Sequence, residues 1–313
     1  MKIFLPILAI SLATVSCVTD SSSDEFEIPE IPNGADHDMS NDLIDGIYSI
    51  DQTSEGLKCE DIYLTQGGKK VDGHAVFGEQ IRMNFTEIKG LEFPDGQCEV
   101  DMMFLFTTLD GDTLDYYPFG SIPPIIDSNK VQTHPELSTY CFVVSPTYSG
   151  SSYYFTSGLK DVTNGRIVYG KTKLTVAPNE NIHIDADGLS CKEGFVYDPI
   201  DNFYVTNNVI TKGRDYDFAI LGVSGFTLKG DYANIGIKLK MNDLENQDPF
   251  DSGDLLLSNN GQVKFTDINE LLSIDFQVAE EFNQNTIHVE IEVWDKNSDA
   301  KLSYWSDFII AAS

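Results

Sequence analysis

Apolar and polar residues alternate along most of this chain, in short runs separated by glycine-rich turns. The clearest run covers residues 78–106 (GEQIRMNFTEIKGLEFPDGQCEVDMMFLF), with alternating apolar positions on both sides of Gly90. Alternation with a period of two is typical of a β-strand with one buried face. The run therefore predicts a strand, a glycine turn and a second strand.

The same pattern occurs a second time, 135 residues further along the chain. Residues 213–241 (GRDYDFAILGVSGFTLKGDYANIGIKLKM) align with the first run without a gap, and Gly78 and Gly90 coincide with Gly213 and Gly225. Few residues are identical, but the alternation and both glycines are kept. We interpret the two runs as copies of one structural motif.

Further matches follow in the same order. Residues 136–144 align with 270–278, and residues 153–159 align with 287–293, both at a spacing of 134. Because the matches extend over about 100 residues in the same order, they predict a tandem duplication. Outward side chains differ between the copies, as in Arg82 against Asp217. We therefore expect function to lie where the copies differ.

Many short strands, turn residues between them and the lack of a helical pattern predict an all-β fold. We expect two tandem antiparallel β-sandwich domains, at residues 43–178 and 187–313. Asn164-Gly165 between two alternating runs predicts a hairpin in the first domain. The arrangement resembles the tandem immunoglobulin-like modules of bacterial exported and surface proteins. Neither a Cys…Trp…Cys spacing nor a tyrosine corner is recognisable in it.

Residues 1–17 predict an export signal. Lys2 precedes an apolar run that ends at Ala13 and is too short to span a bilayer as a resident helix. Thr14-Val15-Ser16-Cys17 resembles a lipobox, which implies that Cys17 is acylated and becomes the mature N-terminus. Ordinary signal-peptidase cleavage near Ser16 is the alternative. An acylated Cys17 would anchor the protein to a membrane.

Residues 18–42 contain serine, proline, glycine and acidic residues with almost no apolar periodicity, which predicts a flexible acidic tether. Acidic residues soon after a lipidated cysteine are similar to the surface-export signals of Bacteroidota lipoproteins. The resemblance implies an exported lipoprotein, located at the outer membrane or the cell surface. Its partners would be the membrane, through the lipid, and an envelope protein or polysaccharide that the sequence does not identify.

The charge of the chain limits its partners. Lys and Arg number 20 against 50 Asp and Glu, which gives a net charge of −30. A field of this sign repels phosphate groups, so we expect the chain to bind neither nucleic acid nor, by electrostatics, anionic lipid. Solubility outside the cell is the plain interpretation of the charge, and acid-lined cation sites are the more specific one.

Four cysteines remain after Cys17: Cys59, Cys98, Cys141 and Cys191. An even number in an exported protein predicts disulfides, and four cysteines allow three connectivities. The second copy lacks Cys98 and Cys141, which favours a bond between these two. The alternation argues against it, because Cys141 falls between Tyr140 and Phe142, which we expect to point inward. A bond between Cys59 and Cys191 would link the two copies.

No catalytic motif is evident. The five histidines lack metal-ligand spacing, and Gly222-Val223-Ser224-Gly225 does not complete a nucleophile elbow. We predict that the chain is not an enzyme and holds no cofactor, with calcium as the one exception to consider. Oxygen donors alternate at Asp295, Asn297 and Asp299, as at the start of a calcium loop, and also in residues 185–188. A polar turn is the alternative that we favour at both places.

Aromatic residues offer a second kind of site. Tyr116 and Tyr117 are expected in a loop at 107–118, and Trp294 and Trp305 in the last hairpin of the second copy. Aromatic rings stack on sugars, but they also serve routinely as core edges. Thr113, in Asp112-Thr113-Leu114, matches a short O-glycosylation pattern of Bacteroidota.

Two functional hypotheses remain. The first is a non-catalytic cell-envelope lipoprotein that acts as an adhesion, spacer or complex-assembly module. The alternative is a glycan-binding accessory lipoprotein of a polysaccharide-uptake system, with the tryptophan hairpin or the Tyr116-Tyr117 stretch as its platform.

Overall fold

The computed structural model describes residues 50–94, 98–120, 125–127, 137–242, 250–257 and 261–311. The described residues divide into two compact units, on either side of the bond between Ala177 and Pro178. We call residues 50–177 the first unit and residues 178–311 the second unit. The predicted signal peptide, Cys17, the whole predicted tether and residues 43–49 of the first predicted domain lie outside the described residues.

The first unit consists of eleven strands in the described residues. They are β1 (Asp51–Glu55), β2 (Asp61–Gln66), β3 (Lys69–Val71), β4 (His74–Val76), β5 (Gln80–Thr86), β6 (Cys98–Thr107), β7 (Thr113–Tyr117), β8 (Ile125–Asp127), β9 (Leu137–Phe142), β10 (Ser152–Asp161) and β11 (Ile167–Ala177). The larger sheet has the order β1-β11-β10-β6-β7, with β4 parallel to β11 and β8 beside β6. The smaller sheet has the order β3-β2-β5-β9.

The second unit contains twelve strands and one short helix in the described residues. They are β12 (His183–Asp187), β13 (Glu193–Asp198), β14 (Phe203–Tyr204), β15 (Val209–Thr211), β16 (Asp215–Leu221), β17 (Leu228–Lys229), β18 (Tyr232–Asn242), β19 (Phe250–Asp251), β20 (Gln262–Lys264), α1 (Phe265–Glu270), β21 (Leu271–Gln277), β22 (Thr286–Asp295) and β23 (Lys301–Ala311). Its larger sheet has the order β12-β23-β22-β18-β17, and its smaller sheet β14-β13-β16-β21.

The two units share one topology. The path β1-β11-β10-β6 corresponds to β12-β23-β22-β18, and β3-β2-β5-β9 corresponds to β14-β13-β16-β21. Even the short parallel pairing recurs, with β4 beside β11 and β15 beside β23. The shared strand order is what a tandem duplication would produce. The predicted all-β, antiparallel class is confirmed.

In each unit the two sheets pack face to face. In the first unit, Thr139 of β9 is hydrogen-bonded to Ser157 of β10, across the sheet interface. In the second unit, Phe218 of β16 lies against Tyr304 of β23, with ring centroids 4.2 Å apart. Apolar side chains from both inner faces fill the space between the sheets, which is the arrangement of a β-sandwich.

Two local predictions are wrong. Helix α1 forms where no helix was expected, and it buries Ile268 against the second core. Residues 113–117 form strand β7, not part of a loop, because they pair with the end of β6. Both elements are short, so their own sequence pattern is weak, and pairing or packing with a neighbour decides their conformation.

The spacing of 134 is also wrong for β9 and β21. Ile81 pairs with Cys141 and Tyr216 with Phe276, so Cys141 corresponds to Phe276, at a spacing of 135. A slip of one residue exchanges the two faces of a strand. Cys141 therefore points into the core, while Tyr140 and Phe142, predicted to point inward, are 53% and 39% exposed.

Both units contain a tyrosine whose hydroxyl ties its strand to a residue upstream in the chain. The Tyr153 hydroxyl accepts a hydrogen bond from the backbone N–H of Tyr148 (2.9 Å), and the Tyr216 hydroxyl accepts one from Thr211 (2.8 Å). Each tyrosine is buried and bonds five residues upstream, as in a tyrosine corner. The sequence did not reveal these bonds, because the two tyrosines are not at corresponding positions of the repeat.

Candidate functional site

The tryptophan hairpin forms part of the outer face of the larger sheet of the second unit, the face turned away from its core. Trp294 of β22 is paired with Lys301, and Trp305 of β23 is paired with Glu290. Both tryptophans are half-buried and point to this outer face. The register places them about 13 Å apart along the strand direction, at about 3.3 Å per residue.

Trp305 stands between two histidines. His183 of β12 stacks on the indole at 4.0 Å between ring centroids and 24° between planes, and His288 of β22 lies 5.2 Å away. Strands β12 and β22 flank β23, so the imidazoles approach from opposite sides. Asp307 holds His288 through a contact of 2.7 Å between Oδ1 and Nδ1. A sugar needs a free ring face, and this arrangement does not favour one at Trp305.

Trp294 is arranged differently. Its indole lies across Gly236 of β18, where an added Cβ would come within 2.0 Å of the ring. Only a glycine permits this contact, which seats the half-buried ring close against β18. The Lys238 ammonium is 6.0 Å from the ring centroid and 3.2 Å from Glu292. A half-buried ring beside charged hydrogen-bonding groups is compatible with a polar ligand.

The other predicted aromatic platform does not form as expected. Tyr116 and Tyr117 are neighbours in β7, so their side chains point to opposite faces of the strand. Tyr116 packs on a small outer cluster of Met103, Leu105 and Tyr169. Tyr117 stacks on Phe104 at 4.6 Å between centroids. These contacts give both tyrosines a structural role. Because the two rings lie on opposite faces of β7, they do not form one ligand-binding surface.

Thr113 begins β7 and is exposed. Its residue partner across the strand pair is Thr107. The position is accessible to a modifying enzyme, and O-glycosylation there stays a prediction.

The predicted calcium ligands are separated by burial. Asp295 is 1% exposed, whereas Asn297 and Asp299 are exposed. The Asp295 carboxylate accepts hydrogen bonds from the backbone N–H of Thr227 (2.8 Å) and of Asn297 (2.9 Å) and from the Ser298 hydroxyl (2.8 Å). These donors already use the lone pairs that a cation would need.

Burial of the Asp295 carboxylate raises its pKa, but the hydrogen bonds from Asn297 and Thr227 outweigh this effect and hold the pKa below its ordinary value. In the part of the chain that the structure describes, no three His, Cys, Asp or Glu side chains converge as metal ligands. Calcium binding stays a prediction that this geometry does not favour.

Asp295 has a counterpart in the first unit that the sequence interpretation missed. Asp161, at the same place at the end of β10, is fully buried, and its carboxylate accepts hydrogen bonds from the backbone N–H of Glu92 (2.7 Å) and of Thr163 (2.8 Å). In both units this aspartate ties the turn after its own strand to the loop that follows β5 or β16. The identity of the two residues at a spacing of 134 was the available signal.

No disulfide links the four described cysteines, so the Cys98–Cys141 bond that the comparison of the two copies favours is absent from the structure. Cys98 begins β6, whereas Cys141 is close enough to Asp115 for that charge to raise its pKa, after the larger effect of burial. Asp115 pairs with Phe106, eight residues along β6 from Cys98. This separation is about 25 Å at 3.3 Å per residue, and a disulfide requires Cα atoms within about 7 Å.

Cys59 and Cys191 lie just before β2 and β13 and are half-buried. Burial raises the pKa of Cys59 to about 12 and that of Cys191 to about 11. Both thiols are therefore protonated at neutral pH, which makes them poor nucleophiles and poor metal ligands.

The first unit has a surface groove of about 480 Å³ between β1 and the β2–β3 hairpin. Ile62, Leu64 and Val71 line it, with Asp61 and Asp72 among its polar residues. Asp61 already faces the Lys70 ammonium at 3.6 Å. The groove has the size of a small-molecule site.

No protein-family model and no curated protein matches this chain. The C-terminal domain of wzt is 13% identical over 41% of this chain and 78% of that one, with a TM-score of 0.30. The ICAM-5 D1–D4 ectodomain fragment is 10% identical over 81% of this chain and 54% of that one, with a TM-score of 0.21. The FN1–FN3 domains of chicken CNTN1 are 9% identical over 83% of this chain and 66% of that one, with a TM-score of 0.24. Likenesses at this level carry no argument about function.

Among the described residues, no helix has the length and apolar character that crossing a membrane would require.

Proposed function

We propose that this protein is a non-catalytic cell-envelope lipoprotein that serves as an adhesion, spacer or complex-assembly module. One observation carries the proposal: two sandwiches keep the same strand order while their outer faces carry different side chains. At corresponding positions, Arg82 and Tyr140 of the first unit are replaced by Asp217 and Asp275 of the second. A scaffold that is repeated while its surfaces diverge supports contacts with partners better than it supports a reaction.

Attachment and location are part of this proposal. Cleavage before Cys17 and acylation of its thiol would fix the chain to a membrane, with residues 18–42 as an acidic tether. The high negative charge is consistent with a protein exposed to solvent outside the cell. We place it at the outer membrane or the cell surface, with an envelope protein or polysaccharide as partner and no nucleic acid.

The anchor is tested by labelling cells with a radioactive fatty acid and separating membrane from soluble fractions. The wild-type chain should carry label and remain with the membrane, and the Cys17→Ser variant should lose both properties. An unlabelled wild-type chain in the soluble fraction would contradict the proposed anchor.

The assembly role is tested by crosslinking in cells and purifying the chain from the envelope. A specific envelope protein should be recovered with the wild-type chain, and recovery should fall when Cys17→Ser releases the chain from the membrane. Recovery of the chain without any partner, at several crosslinker lengths, would count against the proposal.

Glycan binding is the second candidate, and the position of Trp294 favours it. Its half-buried ring lies against Gly236, beside the Lys238–Glu292 ion pair. We expect Trp294→Ala to remove retardation of the chain in gels that contain envelope polysaccharide. Trp305→Phe is the matched control, because Trp305 is flanked by histidines and should not contact a sugar. Equal retardation of all three proteins would exclude this site.

A further inference from the structure

Strand β9 forms an edge of the smaller sheet of the first unit. In the described part of the chain it pairs on one side only, with β5. Its sequence, LSTYCF, contains neither a charged residue nor proline. An edge strand of this kind exposes unpaired backbone N–H and C=O groups and is a ready template for another strand, unless charge, proline or a bulge protects it.

The outward side chains of β9 add apolar surface to this open edge. Tyr140 is 53% exposed and Phe142 is 39% exposed, and both point to the outer face. The Arg82 guanidinium of the neighbouring strand lies 5.9 Å from the Tyr140 ring centroid. Tyrosine, phenylalanine and arginine are residue types enriched at protein interfaces.

The corresponding edge of the second unit is protected. Strand β21 is also the last strand of its sheet, but Asp275 stands where β9 has Tyr140 and faces Asp217 across the strand pair. A second strand added beside β21 would have to accept this charge. The two edges are therefore built alike in backbone and differ in whether charge blocks further pairing.

We propose that β9 pairs with β9 of a second copy of this chain, so that the two smaller sheets join across a two-fold axis. This goes beyond the partner contacts proposed above, because the partner here is a second copy of the chain. An antiparallel pair of identical strands is self-complementary, as a two-fold interface requires. Because β9 itself carries no charged residue, its pairing with a second β9 places no carboxylate directly opposite another.

The register of the pair follows from the core. Leu137, Thr139 and Cys141 point inward in each copy, so only registers that pair outward residues with outward residues keep both cores closed. The register centred on Tyr140 sets the two Tyr140 rings side by side and places Phe142 opposite Ser138 of the other copy. Aromatic pairs in such positions stabilise a sheet.

The test is sedimentation velocity of the full chain carrying Cys17→Ser, from low to high micromolar concentration. We expect a concentration-dependent dimer, weakened at least about tenfold by Tyr140→Asp, because like charges would then face each other. This variant introduces the residue that β21 has at the corresponding position, and the new carboxylate lies beside Arg82, so the fold should be retained. Tyr232→Asp changes a tyrosine of similar exposure, 51%, and should leave the dimer intact.

A second measurement identifies the interface directly. A photo-crosslinking residue at position 142, in a mixture of light and ¹⁵N-labelled chains, should join peptides of mixed isotope at residues 137–142. A monomer at every concentration, a dimer unaffected by Tyr140→Asp, or crosslinks to another segment would overturn the inference. A monomeric chain that still recovers an envelope partner would overturn the inference of a dimer but would leave the proposed function standing.

Discussion

The first and second units solve the same packing problem with exchanged side chains. In the first unit, Gly170 of β11 faces Met83 and Ile62, with room for no more than a hydrogen at its Cα. In the second unit the glycine is on the opposite sheet, as Gly194 of β13, and Tyr304 occupies the place of Gly170. Large and small residues have changed places across the sheet interface while the strand order stayed the same. The total volume of a core is constrained more strongly than the position of each group.

The same comparison holds for charge. The buried aspartates Asp161 and Asp295 are kept in both units, where each accepts hydrogen bonds from two backbone N–H groups. The pair on the outer face is not kept: Arg82–Tyr140 in one unit is Asp217–Asp275 in the other. The difference teaches that buried polar groups are fixed by the backbone they serve, whereas surface pairs are free to diverge.

The largest expected effect comes from forcing the second unit towards the first. Gly194→Ile should cost about 3 kcal/mol or more, because a Cβ there lies 2.6 Å from the rigid Tyr304 ring. Adding Tyr304→Gly, which reproduces the arrangement of the first unit, should recover at least half of the loss. Tryptophan fluorescence during urea unfolding measures this, because both tryptophans belong to the second unit. A double variant as unstable as the sum of its parts would refute the exchange of volumes.

The shared aspartate should have the next largest effect. Asp295→Asn should destabilise the second unit by about 2–3 kcal/mol, because hydrogen bonds to a charged acceptor are lost and buried N–H groups remain. Asp161→Asn is the matched change in the first unit. It should destabilise the unfolding transition that circular dichroism follows and leave unchanged the transition that tryptophan fluorescence follows. Equal effects of Asp161→Asn on both signals would show that the units are not independent.

The pKa of Asp295 also predicts a dependence on pH. Because it is below its ordinary value in the folded state, the unfolded chain binds this proton first, and the stabilisation is present above the ordinary pKa and lost as pH falls through the folded value. The stability of the wild-type second unit should therefore fall steeply in acid, as measured by tryptophan fluorescence. The Asp295→Asn variant should show a shallower acid dependence.

A smaller effect of opposite sign is expected at the surface pair. Partial burial, the hydrogen bond to Asp275 and the charges of Asp275 and Asp215 raise the pKa of Asp217 to about 7. The stabilisation that the protonated Asp217 contributes is therefore complete below the pKa of the unfolded chain and lost as pH rises through about 7. Asp275→Asn should raise the melting temperature by about 3 °C at pH 8 and by less at pH 5. A gain that is larger at pH 5 would contradict this assignment.

The smallest effect is expected for Tyr304→Phe. The Tyr304 hydroxyl is fully buried and has no hydrogen-bond partner among the described residues. Its removal should leave the free energy of unfolding unchanged or raise it by up to about 1 kcal/mol, because an unsatisfied buried group is lost. A clear loss of stability, by urea unfolding, would show that the hydroxyl is satisfied in solution.

Alternation and the repeated glycines were enough to predict the strands and the repeat. Gly90 and Gly225 illustrate why: each has a positive φ, and an added Cβ would lie within 2.6 Å of the backbone oxygen of Gly56 or Gly188. A positive φ together with so close a contact admits only glycine, which leaves a signal at a single residue of the sequence. The aspartates of the turns left the same kind of signal, which was overlooked.

Only the tertiary structure decided which face of β9 is buried, how the cysteines are placed and what surrounds each tryptophan. The sequence of β9 carries apolar and hydroxyl side chains on both faces, so its phase depends on pairing with β5. This pairing turned Cys141 inward and left Tyr140 exposed. His183 and Trp305 meet because β12 and β23 are neighbours, although 122 positions separate the two residues. Local periodicity determines strands, because each strand needs one buried face. Sites depend on which strands become neighbours, and this is settled by the packing of the whole unit.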